Sequence, residues 1–366
     1  MATLKITNPN LYDILSRHLP EEIVHDILFI RLSIKDLLRS TSVCKSWLSL
    51  ISSPDFIRTH LDKSTNDLHF SHHRLLLSRR NNIDVHVLDA YLTFQSRSLY
   101  TESTWLDLDH PENIVKFVGY SNGLACLLCD NYNDNYNLIL WNPSTRKSRI
   151  LPRVDMNLKN LCTTYGFCYD ELNDHFKVFV ICSLAYEHEF SVYSSKSDDW
   201  SMIEDFPFAE MLSECNFVNG AMYGVLNDQN YQKSKIIVCI DSKVNTCQET
   251  LQPSYGEGVR DWSLGTFGKN LSVVCKFDTR AELWVMEECG AEKFWAKLCS
   301  IPCMDVLTRG KDLKPVWIFV NGDVLVKFDS KLLVYDSRDQ KYKDLLQNDY
   351  GEAVDVYIYV ESLVSP

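Results

Sequence analysis

One pattern recurs five times in this chain: an apolar strand ending in a large residue, then a polar turn, then a second strand. It reads Leu138-Ile139-Leu140-Trp141-Asn142-Pro143, Phe190-Ser191-Val192-Tyr193, Ile237-Val238-Cys239-Ile240-Asp241, Leu283-Trp284-Val285-Met286 and Leu333-Val334-Tyr335-Asp336. The steps between Trp141, Tyr193, Ile240, Met286 and Tyr335 are 52, 47, 46 and 49 residues. A sustained period constrains the fold strongly, because similar units that cannot bury their faces alone must pack against one another. Trp200, Cys247 and Tyr342 mark the returning strand seven residues past the landmark, and Trp295 does so at nine.

A glycine between two apolar stretches precedes each landmark: Asn122-Gly123, Asn219-Gly220, Gly268-Lys269 and Asn321-Gly322, with Gly166 in the remaining unit. Asn-Gly between apolar strands signals a type I′ hairpin, whose two central residues need positive φ. Each unit therefore holds two hairpins, or four strands, in about fifty residues, the arithmetic of a kelch-like β-propeller blade. Five blades run from Ser121 to Gln347, and Leu75-Leu76-Leu77, Asn81-Asn82 and Val85 to Leu88 belong to a sixth. Val356 to Val360 serves as a closing strand paired with the first blade, leaving no open edge. The expected fold is thus an all-β propeller of about six blades over residues 64–366; the alternative, a two-sheet β-sandwich, needs no sustained period.

Residues 15–63 follow a helical period instead. Pro20 suits a first helical position, with Glu21 and Glu22 in the first turn. Ile23, Ile27 and Ile30, beside Val24 and Leu28, form a broad apolar face. Ser33 and Asp36 cap a second helix carrying Ile34, Leu37 and Leu38. A third presents Val43, Trp47 and Leu50/Ile51 before Ser53-Pro54 stops it. So small a unit cannot bury this much apolar surface alone, and the surplus face expects a partner.

The segment resembles the F-box through Leu19-Pro20, Ile27-Leu28, Leu37-Leu38-Arg39, Val43-Cys44-Lys45-Ser46-Trp47 and Pro54-Asp55-Phe56-Ile57. The pattern's usual Leu-Pro opening the second helix is Leu32-Ser33 here, and Phe29-Ile30-Arg31 is one residue longer, a rotation of about 100° on a helix. The rest of the chain resembles the F-box-associated domain of plant F-box/kelch-like proteins. This likeness rests on Asn122-Gly123-Leu124, Trp141 to Arg146, Tyr165-Gly166-Phe167 with Asn173-Asp174, Tyr193 with Trp200, Leu283 to Met286 with Trp295, and Tyr359 to Val364. The resemblance implies docking on the SKP adaptor of a cullin-based ubiquitin ligase through Leu19, Pro20, Ile23, Ile27, Leu28, Leu32, Ile34, Leu37, Leu38, Val43, Cys44, Lys45 and Trp47. It implies a target protein on the β domain. The family includes the pollen S-locus F-box proteins, whose targets are basic ribonucleases.

Residues 64–366 carry 29 basic and 42 acidic side chains, against eight and seven in residues 1–63. A domain with a −13 balance repels nucleic-acid backbone and anionic membrane and favours basic partners. Asp130, Asp134, Glu187, Glu189 and Glu257, on polar excursions such as Asp130 to Asn137, Ala185 to Glu189 and Ser254 to Asp261, are the candidate target-binding positions. No apolar run approaches the roughly 18 residues of a membrane span, and Met1 to Asn10 lacks a signal peptide's apolar core. The 13 cysteines then read as reduced thiols of the cytoplasm or nucleus.

Chemistry-bearing constellations are weak. Cys126-Leu127-Leu128-Cys129 has half-site zinc spacing without a second pair, Cys299 and Cys303 straddle Pro302, and His72-His73 reads as a solvated loop. No nucleophile elbow occurs, and Gly265-Thr266-Phe267-Gly268 lacks the lysine and helix of a phosphate loop. No cofactor or metal is expected. The reading is a non-catalytic substrate receptor; the alternatives are an F-box scaffold that delivers nothing, or a propeller-fold glycoside hydrolase with axial carboxylates.

Overall fold

The computed structural model describes residues 31–67, 72–79, 84–89, 101–105, 114–131, 135–154, 163–171, 173–183, 188–203, 212–218, 221–227, 235–241, 246–289, 292–303, 313–319, 321–329, 331–344 and 353–366. The expected first helix with Leu19, Pro20, Ile23, Ile27 and Leu28 lies outside them, as do Asp134, Glu187 and Asn219-Gly220.

The helices Ile34–Ser40 (α1), Lys45–Ile51 (α2) and Pro54–Thr65 (α3) open the described chain. Ser33 Oγ accepts the Asp36 amide at 3.2 Å and donates to the Asp36 carboxylate at 2.8 Å. A serine cap thus starts α1 where the F-box pattern has proline. Pro54 follows the end of α2 and opens α3, a position where its missing N–H costs nothing.

The described strands form six four-stranded antiparallel sheets. His73–Arg79 (β1), Asp84–Asp89 (β2) and Thr101–Trp105 (β3) belong to the first. The second is Ile114–Ser121 (β4), Leu124–Asn131 (β5), Asn135–Trp141 (β6) and Ser148–Ile150 (β7). Thr163–Asp170 (β8), His175–Ser183 (β9), His188–Ser194 (β10) and Asp199–Ile203 (β11) make the third. Leu212–Val218 (β12), Ala221–Asn227 (β13), Lys235–Asp241 (β14) and Thr246–Glu249 (β15) make the fourth. Asp261–Phe267 (β16), Asn270–Lys276 (β17), Arg280–Cys289 (β18) and Glu292–Pro302 (β19) make the fifth. Leu313–Ile318 (β20), Val324–Phe328 (β21), Lys331–Asp336 (β22) and Lys341–Asp344 (β23) make the sixth. Ala353–Val360 (β24) pairs with β1 and completes the first sheet from the other end of the domain. The closing strand therefore joins the Leu75-Leu76-Leu77 strand of the first sheet in chain order, as expected.

First strands of neighbouring sheets lie side by side, β4 with β8, β8 with β12, β12 with β16 and β20 with β24. This is a propeller arrangement rather than two layers face to face. Each sheet is consequently covered on both faces, which is why its middle strands read as nearly continuous apolar runs. In β5, Leu124, Cys126 and Leu128 pack toward the third sheet with Phe176 and Val178, while Ala125, Leu127 and Cys129 pack toward β1 and β24 with Leu76 and Tyr359. The aromatic of the returning strand ties one sheet to the chain leaving the one before it. Trp200 Nε1 donates to Pro152 O at 2.8 Å, Trp295 Nε1 to Leu251 O at 2.7 Å, and Tyr342 Oη to Pro302 O at 2.5 Å.

Asn122 (φ 44°) and Gly123 (φ 87°) form the expected left-handed hairpin turn. Gly166 does not: it lies inside β8, and the turn of its unit precedes Asp174, whose φ is 54°. A Cβ on Gly166 would lie 2.2 Å from the Phe217 ring, which stacks on Phe179 at 3.9 Å. That glycine makes room for the neighbouring sheet's aromatic. The polar stretch from Asp130 to Asn137 is paired strand at its described ends rather than a long excursion, with Asp130 opposite Tyr136 and Asn131 opposite Asn135.

Candidate functional site

The helical unit separates its apolar residues into two sets. Ile34, Leu37, Ile51 and Phe56 form its core, with Leu32, Trp47 and Leu50 packed against them. Ile34 and Leu37 are therefore internal supports and not members of the presented face, a correction to the sequence expectation. Their spacing placed them on the apolar stripe, but α1 turns that stripe inward. Leu38, Val43 and Leu48 remain exposed, at 41%, 46% and 48%. Lys45 is exposed and Cys44 half-buried beside them. Leu48 was missed by the sequence reading; its signal is a large aliphatic residue off the buried Trp47/Leu50/Ile51 side of α2. Exposed large aliphatic side chains on so short a helical unit, with a lysine two residues after Val43, suit protein docking.

The unit is held to the propeller by the C-terminal segment. Leu363 packs into the helical core beside Ile34, Leu37, Ile51 and Phe56. On its other side the segment is gripped by the second sheet. Asn142, fully buried, donates through Nδ2 to Ser362 O (3.0 Å), Ser362 Oγ (3.1 Å) and Val364 O (2.6 Å). Asn142 Oδ1 accepts the amides of Ser144 and Thr145 at 2.8 and 3.1 Å. Ser362 Oγ donates to Gly123 O at 2.9 Å, and a side chain on Gly123 would collide with that hydroxyl at 2.4 Å. Tyr120 Oη donates to Val360 O at 2.8 Å and accepts the Val360 amide at 3.0 Å.

His72 and His73 sit in this joint, buried rather than solvated as the sequence suggested. At the start of β1, His72 meets α3 while His73 turns to the propeller strand β20. The His72 ring meets His60 edge-on at 5.3 Å, and His73 packs at 5.3 Å from Trp317. The Glu361 carboxylate lies 2.9 Å from Arg74 Nη2 and 3.8 Å from His72 Nδ1. Burial lowers the pKa of His73 to about 4 and also lowers that of His60, whose Nε2 lies 3.1 Å from Leu32 O.

The acidic candidates are not gathered into one site among the described residues. Asp130 belongs to the β5–β6 hairpin, and Asp134 and Glu187 lie outside the described residues. Glu189 is half-buried in β10 opposite Cys182, its Oε2 enclosed without a hydrogen-bond partner among the described residues, so it is no exposed loop carboxylate. Its place in the paired strand, rather than in the loop before it, draws the side chain in. Glu257 is exposed between Gly256 and Gly258. Cys126 and Cys129 belong to packing clusters on opposite faces of β5, so they do not converge on one ion; burial pushes the Cys129 thiol up to about 12 and Cys126 upward as well. No group of three potential metal ligands occurs among the described residues, and no described helix is long and apolar enough to cross a membrane.

Comparison with known proteins bears on both units. The family described as F-box associated beta propeller domain matches residues 75–366, and the F-box-like family matches residues 16–63. The F-box/kelch-repeat protein At3g23880 of Arabidopsis thaliana is 28% identical, over 95% of this chain and 96% of its own length. F-box protein At3g07870 and F-box protein CPR1, from the same plant, are each 26% identical. Their alignments cover 90% and 94% of this chain and 87% and 88% of theirs.

Proposed function

The chain belongs to the family of F-box proteins with an F-box associated β-propeller domain, and on that premise we propose that it is the substrate receptor of an SKP–cullin–F-box ubiquitin ligase. Residues 15–63 form the adaptor-docking unit and residues 64–366 the target-recognition domain. The observation that carries this reading is the exposed Leu38, Val43 and Leu48 set on a helical unit whose own core is already filled by Ile34, Leu37, Ile51 and Phe56. Cys44 and the exposed Lys45 follow Val43 in the sequence, while Trp47 and Leu32 are half-buried against that core.

The receptor itself transfers nothing. It raises the concentration of a target lysine near the charged enzyme, a proximity effect. The −13 balance of residues 64–366 favours a target with a basic surface, a ribonuclease if the chain is of the S-locus kind, met in the cytoplasm or nucleus. Steering of that sort weakens as salt shortens the screening length from about 10 Å at 0.1 M to about 3 Å at 1 M.

The test is co-purification of the full chain with an SKP-type adaptor and a cullin, followed by ubiquitin transfer to captured proteins. Adaptor and cullin retained by the wild type, and lost from a Leu38→Asp/Val43→Asp variant with an unchanged circular dichroism spectrum, is the expected result. A wild-type chain that retains no adaptor sinks the reading. Retention without any transfer leaves the scaffold alternative in its place.

A further inference from the structure

The helical unit takes part of its packing from the far end of the chain. Helices α1 and α2 have seven residues each, and helices that short are marginal in water on their own. They are held where Ile34, Leu37, Ile51 and Phe56 close on one another, with Leu363 packed against them. In α1 the buried Leu37 and the exposed Leu38 are consecutive residues. The exposed side of the helix therefore keeps its shape only while the inner side stays seated.

Leu363 comes three residues after Val360, where β24 ends. Three residues span at most about 11 Å, and no glycine occurs from Ala353 to Pro366. Little slack therefore separates the helical core from the ladder between β1 and β24. The residues between are pinned to the propeller. Tyr120 Oη accepts the Val360 amide at 3.0 Å, His72 O the Glu361 amide at 2.9 Å, and Ser144 Oγ the Ser362 amide at 3.2 Å. The ring of that same His72 meets His60 of α3 edge-on at 5.3 Å. Leu363 and His72 thus each link the helices to the end of the closing strand.

We propose that adaptor docking and closure of the propeller ring are coupled: an adaptor bound through Leu38 and Val43 stabilises the seat of Leu363 and so holds β24 in the first sheet. The inference rests on the receptor reading and adds a regulation of that same site. Two states carry the coupling, one with residues 360–364 seated and one with them open, and only the seated state presents a formed docking face. A ligand that binds one of two states suppresses the other by a factor of one plus the ratio of free ligand to Kd. The effect is reciprocal, so opening of the segment weakens docking. A free receptor accordingly opens its ring at the seam between β1 and β24 more often than a docked one.

Native-state hydrogen exchange of the full chain, with and without a purified SKP-type adaptor, tests this. With free adaptor at about 100 times its Kd, the amides of Val360, Glu361 and Ser362 should exchange at least about ten-fold more slowly, against a ceiling of about 100-fold for complete coupling. Strands β16 to β19 should not change. In Leu363→Ala, brought to the same saturation, the slowing should shrink to less than about three-fold, because the segment no longer reports on the helical core. Leu363→Val, a smaller change, takes its place if Leu363→Ala does not fold. Slowing of less than about two-fold in the wild type at confirmed saturation overturns the coupling and leaves the receptor reading standing. Undiminished slowing in the Leu363 variant assigns the effect to direct cover by the adaptor and overturns the coupling as well. An adaptor that does not bind at all removes the receptor reading and the coupling together.

Discussion

Replacing Asn142 by aspartate isolates the grip on the C-terminal segment from the turn that carries it. The residue after the landmark is a turn former in other sheets too: Asp336 Oδ1 accepts the amides of Arg338 and Asp339, both at 3.1 Å, as Asn142 Oδ1 accepts those of Ser144 and Thr145. Aspartate therefore suits the turn. It cannot supply the Nδ2 donors to Ser362 O and Val364 O, and a carboxylate oxygen would face those two carbonyls in a buried site. A buried carbonyl left without a donor costs about 1–3 kcal/mol, so two cost roughly 2–6 kcal/mol. The ceiling is lower, because a segment that peels away is satisfied by water. We expect local opening to become about 2–3 kcal/mol easier, which is roughly 30- to 150-fold faster amide exchange.

Native-state hydrogen exchange reads this directly. The amides of Val360, Glu361 and Ser362 are bonded to Tyr120 Oη, His72 O and Ser144 Oγ, and all three should lose protection in Asn142→Asp. Protection in α1 should fall with them, because Leu363 leaves the core formed by Ile34, Leu37, Ile51 and Phe56. Strands β16 to β19, across the ring, should be unaffected. Exchange at Glu361 and Ser362 within about three-fold of wild type, in a folded variant, would refute the argument that Asn142 holds the segment.

Leu38→Asp or Val43→Asp should weaken adaptor binding by about 2 kcal/mol or more while leaving the thermal midpoint within a few degrees; Leu37→Asp, with its carboxylate in a closed core, should instead unfold the helical unit, and equal effects on both readouts from all three would contradict the division of faces. Gly166→Ala should destabilise the domain by about 1–3 kcal/mol through contact with the Phe217 ring, and Phe217→Leu should recover part of that loss in urea unfolding; additivity of the two changes would show the clash is not the cause. His73, lowered to about 4 by burial, binds a proton in the unfolded chain, near pH 6.5, before it does in the folded one. Stability should therefore be full above pH 6.5 and decline as pH falls toward 4, and His73→Gln should flatten that part of a stability–pH curve; an unchanged slope would exclude His73 as its source.

What the sequence made legible was whatever the repeat imposes locally. A sheet covered on both faces demands runs such as Leu124 to Cys129, a left-handed turn demands Asn122-Gly123, and a latch between neighbouring sheets demands Trp200, Trp295 or Tyr342. The illegible features depend on partners far along the chain. Gly166 reads as a turn until Phe217 of the next sheet is in place. His72-His73 reads as a polar loop until α3 and Trp317 enclose it. Ile34, Leu37 and Leu38 share one helical stripe, and only Ile51, Phe56 and, from the far end of the chain, Leu363 show which side of it is closed. The loop carboxylates were the least legible, because polarity alone does not separate paired strand ends such as Asp130 and Asn131 from an exposed excursion.

The joint also settles which interactions orient the two units. An exposed ion pair joins them, Arg58 to Asp174 at 3.1 Å, with both side chains about two-thirds exposed. Pairs of that kind contribute between nothing and about 1 kcal/mol and are screened by salt. The buried contacts are of another order: Leu363 within the helical core and His60 against His72, with Arg74 on Glu361 fixing the C-terminal segment beside them. They draw on three separated stretches, residues 34–64, 72–74 and 360–364, so the helical unit is held by more than the chain that leads out of α3. The same C-terminal segment supplies β24, which completes the first sheet. Closing the ring and fixing the helical unit are thus one structural event. On the proposed reading this matters for proximity, because an adaptor docked at Leu38 and Val43 would meet a propeller in a defined orientation rather than one on a loose tether.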